Sequence, residues 1–342
     1  MPQNNLGNMV EKYTTRLDQQ IMQGTCTADL NMNQDLLGDM NGAGVIDIAT
    51  IAMDGLADHV RGRGFVRGGA ELTWTPYQLE FERDREFVVD EMDDAERLGL
   101  VTANLMAEFQ RQHVIPEVDA IRFARMAESA ANMDAATYST PQQAFDDLLL
   151  AEECMEDNGA QLSGCILYCT SKYKGLLRKA QPYRIGQGEA PNGKFDTFDD
   201  MRIRVVPASR FMTAIDLLDG ATSGEEAGGY KIASGGYRKT ADADVVSGKD
   251  YYTKSGETYT KVASPAKASI GDYYELSGQG EPINFQVVHP SAVAALSRLA
   301  KLRYFSPDVN QDDDAHKWQY RLFHDLWVYK NKKELIYGTY AG

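Results

Sequence analysis

The fold of this chain is decided by residues 93–133, which read DDAERLGLVTANLMAEFQRQHVIPEVDAIRFARMAESAANM. Apolar side chains recur three or four positions apart in the first half of this stretch, at Leu98, Val101, Leu105 and Phe109. This spacing places them on one face of an α-helix. Asp93 and Asp94 stand where acidic side chains favour a helix N-terminus. We therefore predict a long helix, here called the spine helix, over residues 93–136.

Pro116 interrupts the predicted spine helix. Proline lacks a backbone N–H, and its ring clashes with the carbonyl four residues earlier, which belongs to Gln112. Apolar spacing resumes beyond the proline, at Val118, Ile121 and Phe123. The element is therefore either one kinked helix or two helices end to end. Its length of about 40 residues is unusual for a globular domain and suits a subunit that reaches over its neighbours.

An extended, charged loop is predicted before the spine helix, at residues 56–92. Tyr77, Leu79 and Phe81 alternate with polar residues, which predicts a strand with one apolar face. Pro76 excludes this strand from the centre of a sheet. The run RGRGFVRGG at residues 61–69 is basic and rich in glycine, which predicts a flexible segment. We expect an exposed, hairpin-like loop that leads into the spine helix.

The N-terminal residues 1–55 are predicted to form an arm with little core of its own. Residues 31–40 are polar and rich in amide side chains, and residues 41–44 read as a turn. A short helix is predicted at residues 45–60.

Residues 137–220 combine helical and strand patterns and are assigned to the first part of a mixed domain. Thr140 is a good N-cap and Pro141 a good first residue for a helix that Asn158 and Gly159 would end. Further elements are predicted in chain order as a buried strand at 165–170, a short helix at 172–179 and a strand at 201–206.

A small β module is predicted to interrupt this domain at residues 221–281, beginning in a linker rich in Gly, Ser and Ala at 220–236. Tyr-Thr-Lys occurs on both sides of a Ser-Gly-Glu turn at residues 251–261, which is a strong hairpin signal. Residues 272–275 would supply a third strand. The exposed Thr, Lys and Tyr of these strands favour a solvated sheet and an immunoglobulin-like insertion.

The main domain is predicted to resume at residues 282–342. Its elements are a strand at 283–288, a helix at 291–302 and a final β-hairpin formed by 320–329 and 335–340. Taken together, the predicted elements make the chain an α+β protein with an inserted β module.

Composition excludes several classes of function. The 342 residues carry 35 Lys and Arg against 50 Asp and Glu, a net charge of −15, whereas phosphate binding needs dense Lys and Arg. Residues 1–23 lack the apolar core of a secretory signal, and no apolar run approaches bilayer length, so we expect no membrane association. The four cysteines are too few for a disulfide scaffold, which favours a reducing cytoplasm.

The order of arm, extended loop, long helix, mixed domain and closing strands resembles the major capsid protein of a tailed bacteriophage with the Hong Kong 97-type fold. Three stretches strengthen the resemblance. KFDTFDDMRIRVVP at residues 194–207 and NFQVVHPSAV at 284–293 resemble parts of the axial domain of such proteins. FSPDVNQ at 305–311, together with YRLFHD at 320–325, is similar to their closing region.

This resemblance implies a subunit that assembles with itself into hexamers and pentamers of an icosahedral head, located in the virion and assembled in the host cytoplasm. The shell would enclose double-stranded DNA without sequence-specific contacts. A scaffolding protein and a portal protein are the implied partners, with room for a decoration protein. No membrane and no cofactor is implied.

Two departures from the family pattern limit what the resemblance carries over. Some members cross-link their shells through a lysine in the extended loop, but no lysine occurs between Lys12 and Lys172, so this chemistry is excluded for the loop. Other members carry a long N-terminal scaffolding segment. Because the loop begins near residue 60, little room remains for one, and we expect a separate scaffolding protein.

The extended loop supplies the candidate interface residues. Its arginines resemble a short nucleic-acid-binding tract, but the acidic chain favours pairing with carboxylates of a neighbouring subunit, on that subunit's spine helix. Arginine suits such pairs because of its forked donors. The predicted inter-subunit residues are Arg61, Arg63, Arg67, Trp74, Tyr77, Glu80, Glu82, Arg83 and Arg85.

Candidate metal and catalytic sites are weak. Asp312, Asp313 and Asp314 with His316 invite a metal-site interpretation, but consecutive acids cannot all point inward, and a solvated loop is favoured. Cys165 and Cys169 share one side of a strand and are predicted to be structural rather than zinc ligands. No catalytic motif is recognised in the chain, so we predict no enzyme and no metal site.

Two other functions remain open from the sequence. The first is a cell-surface or extracellular binding protein whose β module recognises a glycan or a receptor. The second, weaker alternative is a metal-dependent hydrolase that uses residues 312–316. The absence of a recognisable secretion signal and the long spine helix count against the first alternative.

Overall fold

A computed structural model of the chain describes residues 24–31, 45–55, 67–90, 100–181, 185–190, 193–223, 226–239, 251–255, 258–262, 273–310 and 312–342. The α-helices are α1 (Leu100–Phe109), α2 (Ile115–Ser129), α3 (Pro141–Asp157) and α4 (Ser171–Ala180). In the part of the chain that the structure describes, no helix has both the length and the apolar character that a bilayer crossing requires.

The strands of the first half of the chain are β1 (Val45–Met53), β2 (Ala70–Gln78), β3 (Phe81–Asp90), β4 (Asn132–Ala135), β5 (Ile166–Cys169), β6 (Ile185–Ala190), β7 (Gly193–Phe198), β8 (Met201–Val205) and β9 (Ile215–Leu217). The later strands are β10 (Tyr230–Ile232), β11 (Ser234–Lys239), β12 (Tyr251–Ser255), β13 (Thr258–Lys261), β14 (Tyr274–Gln279), β15 (Ile283–Val288), β16 (Val293–Phe305), β17 (Ala315–Val328) and β18 (Ile336–Tyr340). The chain is therefore mixed α+β, as predicted.

The chain divides into two compact units. Unit 1 contains the described residues of Met1–Gly24, Leu30–Gln110 and Ala294–Asp325, and unit 2 contains those of Thr25–Asp29, Arg111–Val293 and Leu326–Gly342. In unit 1, β1 pairs antiparallel with β2, and a second sheet has the strand order β16-β17-β3. Unit 2 is built on a seven-stranded sheet with the order β4-β18-β15-β5-β8-β7-β6.

The spine helix is helical from residue 100 to residue 129, with α1 and α2 joined by a π-helical turn at Gln110–Val114. The π turn directly precedes Pro116, whose missing N–H and bulky ring disturb the regular α-helical hydrogen bonds. The two α-helices thus follow end to end through a wider turn near the proline, which agrees with the second predicted alternative. The predicted end of the spine helix is wrong, since residues 132–135 form β4. The predicted start, at Asp93 and Asp94, lies outside the described residues.

The core of unit 2 lies between the seven-stranded sheet and the helices α3 and α4. Tyr173 of α4 is buried there, stacks on Phe285 of β15 at a centroid distance of 4.7 Å and donates a hydrogen bond from its hydroxyl to the carbonyl of Ala144. Thr140 caps α3 as predicted, because its side chain accepts a hydrogen bond from the backbone N–H of Gln143. The Gln143 side chain in turn accepts one from the backbone N–H of Thr140. The sequence rules for caps and apolar spacing are therefore confirmed in this layer.

Two helix predictions are wrong, and both segments are strands. Residues 291–302 are rich in Ala and Leu, which favour helices, yet β16 runs through them after a short 3₁₀ turn at Pro290–Ala292. Pairing with β17 overrides this local preference. Within residues 45–60, Val45–Met53 form β1, where the β-branched residues Ile46, Ile48 and Thr50 suit a strand.

The predicted C-terminal hairpin is also wrong. β17 pairs with β3 in the three-stranded sheet, whereas β18 pairs with β15 and β4 in the seven-stranded sheet. The connecting residues Lys330–Leu335 form a 3₁₀ segment rather than a tight turn. The sequence predicts that both segments are strands, but it does not indicate with which strands they pair.

The inserted module contains one four-stranded sheet, with the order β11-β14-β12-β13. β12 and β13 form the predicted antiparallel hairpin. The predicted linker at residues 220–236 is partly strand, because residues 230–232 form β10 and residue 234 begins β11. The described residues do not show the second packed sheet that an immunoglobulin-like sandwich requires.

The close approach of backbone at Gly280, where the module rejoins β15, gives a testable prediction. A Cβ at this position would meet the carbonyl oxygen of Ala214 and would lie 2.8 Å from Cγ2 of Ile232. We expect Gly280→Ala to lower the free energy of unfolding by about 1–3 kcal/mol in a denaturant titration, as other overpacked sites do. Gly278→Ala is the matched control, since nothing lies within 4 Å of the added atom. Equal stability of the two variants would contradict the prediction.

Candidate assembly interface

The first part of the predicted interface lies on the β1–β2 pair. In this antiparallel pair, Trp74 stands opposite Ala49 and Tyr77 opposite Ile46. Arg67 is exposed just before β2. Arg61 and Arg63 lie outside the described residues, so their part of the interface stays a prediction.

The second part lies on β3, whose residues alternate strictly between half-buried and exposed. Glu82 is on the exposed face and pairs with Arg321 of β17. Arg83 and Arg85 are on the opposite, half-buried face. Glu80, just before β3, is exposed, and its backbone N–H donates to the Asp325 carboxylate at 3.1 Å.

The strand period therefore separates the predicted interface residues rather than gathering them. Because successive side chains of a strand point to opposite faces, Glu82 cannot share a contact surface with Arg83 and Arg85. The exposed face of β3 instead carries carboxylates at Glu82, Asp84, Glu86 and Asp90. Glu86 is matched across the sheet by Lys317, at 3.3 Å, and by Gln319, at 2.7 Å.

Residues 312–316 do not converge on one point. The carboxylate of Asp312 accepts from Lys317 Nζ at 3.0 Å, while His316 stacks on the ring of Tyr304. The Tyr304 hydroxyl and His316 Nδ1 share a hydrogen bond of 2.7 Å. Within the described residues, no group of three or more His, Cys, Asp or Glu side chains is placed to hold a metal ion.

Cys169 of β5 and Cys165, the residue before that strand, are buried free thiols. Burial raises the pKa of Cys165 to about 11 and that of Cys169 to about 12. Both thiols are therefore protonated at neutral pH and are neither nucleophiles nor ready metal ligands. Cys165 and Cys169 pack within the apolar core of unit 2, as the structural interpretation predicts.

A polar cluster that the sequence analysis missed lies on the inner face of α2. Asp119 is fully buried and accepts hydrogen bonds from the backbone N–H groups of Cys26 and Thr27, at 3.0 and 3.3 Å. It also accepts from the Thr27 hydroxyl at 2.9 Å and from Arg210 Nη1 at 3.1 Å. A short N-terminal segment thus supplies three of the four donors to this carboxylate.

Arg122 completes the buried cluster from the next turn of α2. Its Nη1 donates to the hydroxyl of Thr27 at 2.9 Å and to the carbonyl of the same residue at 3.3 Å. Burial lowers the pKa of Arg122 to about 10, and the neighbouring Asp119 opposes this shift. The guanidinium therefore stays charged at neutral pH, so a positive and a negative group are buried side by side.

Asp29 forms a second ionic contact, two residues beyond Thr27. Its Oδ2 accepts from Nε and Nη2 of Arg204, at 3.1 and 2.8 Å, and its Oδ1 accepts from Arg202 Nη1 at 3.2 Å. Both arginines belong to β8. Unlike Asp119, the Asp29 side chain is about a quarter exposed, at 26%.

The sequence contained a partial signal for the buried cluster. Asp119 and Arg122 interrupt the apolar residues Val118, Ile121 and Phe123, and charged residues three positions apart share a helix face. A charged pair within an apolar stretch indicates a buried ion pair or a boundary of the apolar face. Nothing in the sequence indicated that Thr27, more than ninety residues earlier, is its partner.

The buried cluster predicts a large difference between two acidic residues of α2. Asp119→Asn leaves Arg122 buried without its counter-charge, and such breaks cost about 3–5 kcal/mol. Glu128→Gln removes an equal charge from the half-exposed pair with Arg125, where the cost is below about 1 kcal/mol. Chemical denaturation of both variants measures the two costs. A loss for Asp119→Asn no larger than that for Glu128→Gln would contradict the prediction.

Comparisons with known proteins find distant likeness to solved structures only. No family model and no curated protein matches the sequence. A structure from Mycobacterium phage Che8 is 14% identical, with a TM-score of 0.48 over 92% of this chain and 90% of that one. The capsid of cyanophage P-SCSP1u is 11% identical, with a TM-score of 0.48 over 87% and 84%.

A virus-like particle from Pyrococcus furiosus is similarly distant, at 9% identity and a TM-score of 0.46 over 96% of this chain and 99% of that one. The structures to which the chain is similar thus include phage capsids, the class that the sequence resemblance implies. Because every quoted TM-score is below 0.5, the functional proposal rests on the chain's own elements.

Proposed function

We propose that this chain is the major capsid protein of a tailed bacteriophage, with a Hong Kong 97-type fold. The observation that carries the proposal is the order of its elements. An extended β1–β2 pair and β3 precede a helix of residues 100–129, and a seven-stranded sheet with two covering helices follows. An N-terminal arm at 1–55, an extended loop at 56–92 and a spine at 93–136 are the proposed parts that reach over neighbours.

The remaining parts form the proposed axial and peripheral domain, in the two segments 137–220 and 282–342. Residues 221–281 are its insertion, which we propose to be a small β module built on the sheet β11-β14-β12-β13. The proposed mechanism is repeated self-association into hexamers and pentamers of a closed icosahedral shell. Its energy comes from many modest contacts, because arms and loops laid over neighbours bury area without enlarging each subunit's core.

The proposed partners follow from this role. A separate scaffolding protein and a portal protein direct assembly in the host cytoplasm, and a decoration protein is a further candidate partner. Double-stranded DNA fills the shell without specific contacts, and the net charge of −15 favours weak binding to the packaged DNA. The role is structural, and no enzymatic activity is proposed.

Electron microscopy tests the coat-protein proposal directly. The chain is expressed alone and together with the products of neighbouring genes, and the particles are imaged by negative stain. We expect closed shells, tubes or polyheads, whose diameter bounds the number of subunits. A uniform monomer or small oligomer under both conditions would overturn the proposal.

The loop arginines give a second test of assembly. Reversal of charge at Arg61, Arg63 and Arg67 is expected to block shell formation without unfolding the subunit, because these groups are proposed to pair with a neighbour's carboxylates. Circular dichroism checks folding, and electron microscopy checks assembly.

A matched control makes the same change in net charge elsewhere. Lys172, Lys179 and Lys333 are exposed and lie outside the loop, so their reversal to Glu is expected to leave shells intact. Normal shells from the loop variant, or equal loss of shells from both variants, would contradict the assignment of the loop.

A further inference from the structure

The N-terminal segment Thr25–Asp29 is held to unit 2 by two contacts of different character. The first is buried, with Thr27 fully enclosed and bonded to Asp119 and Arg122. The second is half-exposed and joins Asp29 to Arg202 and Arg204. Because the two contacts differ in burial, we expect them to have different roles.

The buried contact is required for folding. Asp119 and Arg122 have no exposure to water, and the segment provides three of the four hydrogen bonds to the Asp119 carboxylate. Without the segment, both charges would be enclosed with few partners, which strongly destabilises a folded chain. The segment must therefore occupy this site for most of the time in a folded subunit, and it opens only as a minor excursion.

The contact of Asp29 is reached by solvent. The side chains of Asp29, Arg202 and Arg204 are 26%, 34% and 43% exposed. A cavity of about 460 Å³ opens beside them and is lined in part by Asp29, Gly164, Gln187, Asp200 and Arg202. Because exposed ion pairs add little to stability, this contact is not needed to keep the subunit folded.

The geometry of the Asp29 contact fixes the orientation of the Asp29 side chain. Arg204 donates two hydrogen bonds from Nε and Nη2 to one carboxylate oxygen, and Arg202 holds the other oxygen. Charge-assisted contacts of this kind are geometrically specific as well as strong. Asp29 is also the last residue of the segment in unit 2, so it determines where the chain leaves that unit.

We propose that Asp29 is a positioning residue for shell assembly, which fixes the N-terminal arm on the subunit through Arg202 and Arg204 before the arm meets a neighbour. This inference rests on the proposed coat function. An arm held in place loses less conformational freedom on association, so assembly begins at a lower subunit concentration. Loss of the Asp29 contact leaves the fold intact but lets the segment Thr25–Asp29 open more often.

Cys26 provides a reporter within the same segment. Its backbone N–H is bonded to Asp119, and its thiol is half-buried. Burial, together with the negative charge of Asp119, raises the pKa of this thiol to about 11, so it reacts slowly while the segment is in place. Opening of the segment exposes the thiol, and the rate of alkylation then follows the fraction of open segment.

The test compares Asp29→Asn with two matched variants of the full chain. Asp29→Glu keeps the carboxylate and is the conservative rescue. Asp200→Asn removes the same charge from the wall of the same cavity without breaking a contact of the segment. Three quantities are measured for each: the thermal unfolding temperature, the alkylation rate of Cys26 by mass spectrometry, and the lowest concentration at which shells form.

For Asp29→Asn we expect an unfolding temperature within about 4 °C of the wild type, since an exposed pair is lost. We expect Cys26 to react about three to five times faster, and shells to form only at severalfold higher concentration. Asp29→Glu and Asp200→Asn are expected to match the wild type in all three quantities.

Unchanged alkylation of Cys26 in Asp29→Asn would overturn the anchoring role of Asp29. Faster alkylation with an unchanged assembly concentration would overturn its role in assembly. A large fall in unfolding temperature would show a folding role instead, and would equally overturn the proposal. If the wild-type chain forms no shells at all, the coat function fails, whereas the alkylation rates still decide whether Asp29 anchors the segment.

Discussion

The burial of two opposite charges on α2 is the constraint on which much of unit 2 depends. Asp119 and Arg122 have no contact with water, and charges so enclosed need both a counter-charge and hydrogen bonds. Thr27 supplies hydrogen bonds to both groups, and Arg210 adds a second cation. A residue near the N-terminus is thereby built into the core of a unit whose main elements begin after residue 110.

This constraint fixes one segment of the N-terminal region, Thr25–Asp29, in unit 2. Thr25 and Thr27 are buried, although each is a small polar residue with no neighbouring apolar pattern. Buried polar residues of this kind add specificity, because the segment supplies donors to the Asp119 carboxylate and acceptors to Nη1 of Arg122.

A second physical constraint is that successive side chains of a strand point to opposite faces. On β3 it places carboxylates on one face and Arg83 and Arg85 on the other. The predicted inter-subunit residues of β3 therefore lie on two different faces of the strand. The carboxylates meet Lys317 and Arg321 of β17, so part of the charge of the loop is matched within the subunit.

Local rules predicted those elements whose signals are local. The cap at Thr140, the apolar faces of α3 and α4, the hairpin of β12 and β13 and the buried strand β5 follow from neighbouring residues alone. The sequence by itself thus determined the α+β class and the long helix. Only the tertiary structure decided that residues 293–305 are a strand, that β17 and β18 join different sheets, and that Thr27 meets Asp119. The physical reason is that strand pairing and buried charge pairs join residues that are far apart in the chain. The spacing of neighbouring residues does not indicate such distant partners.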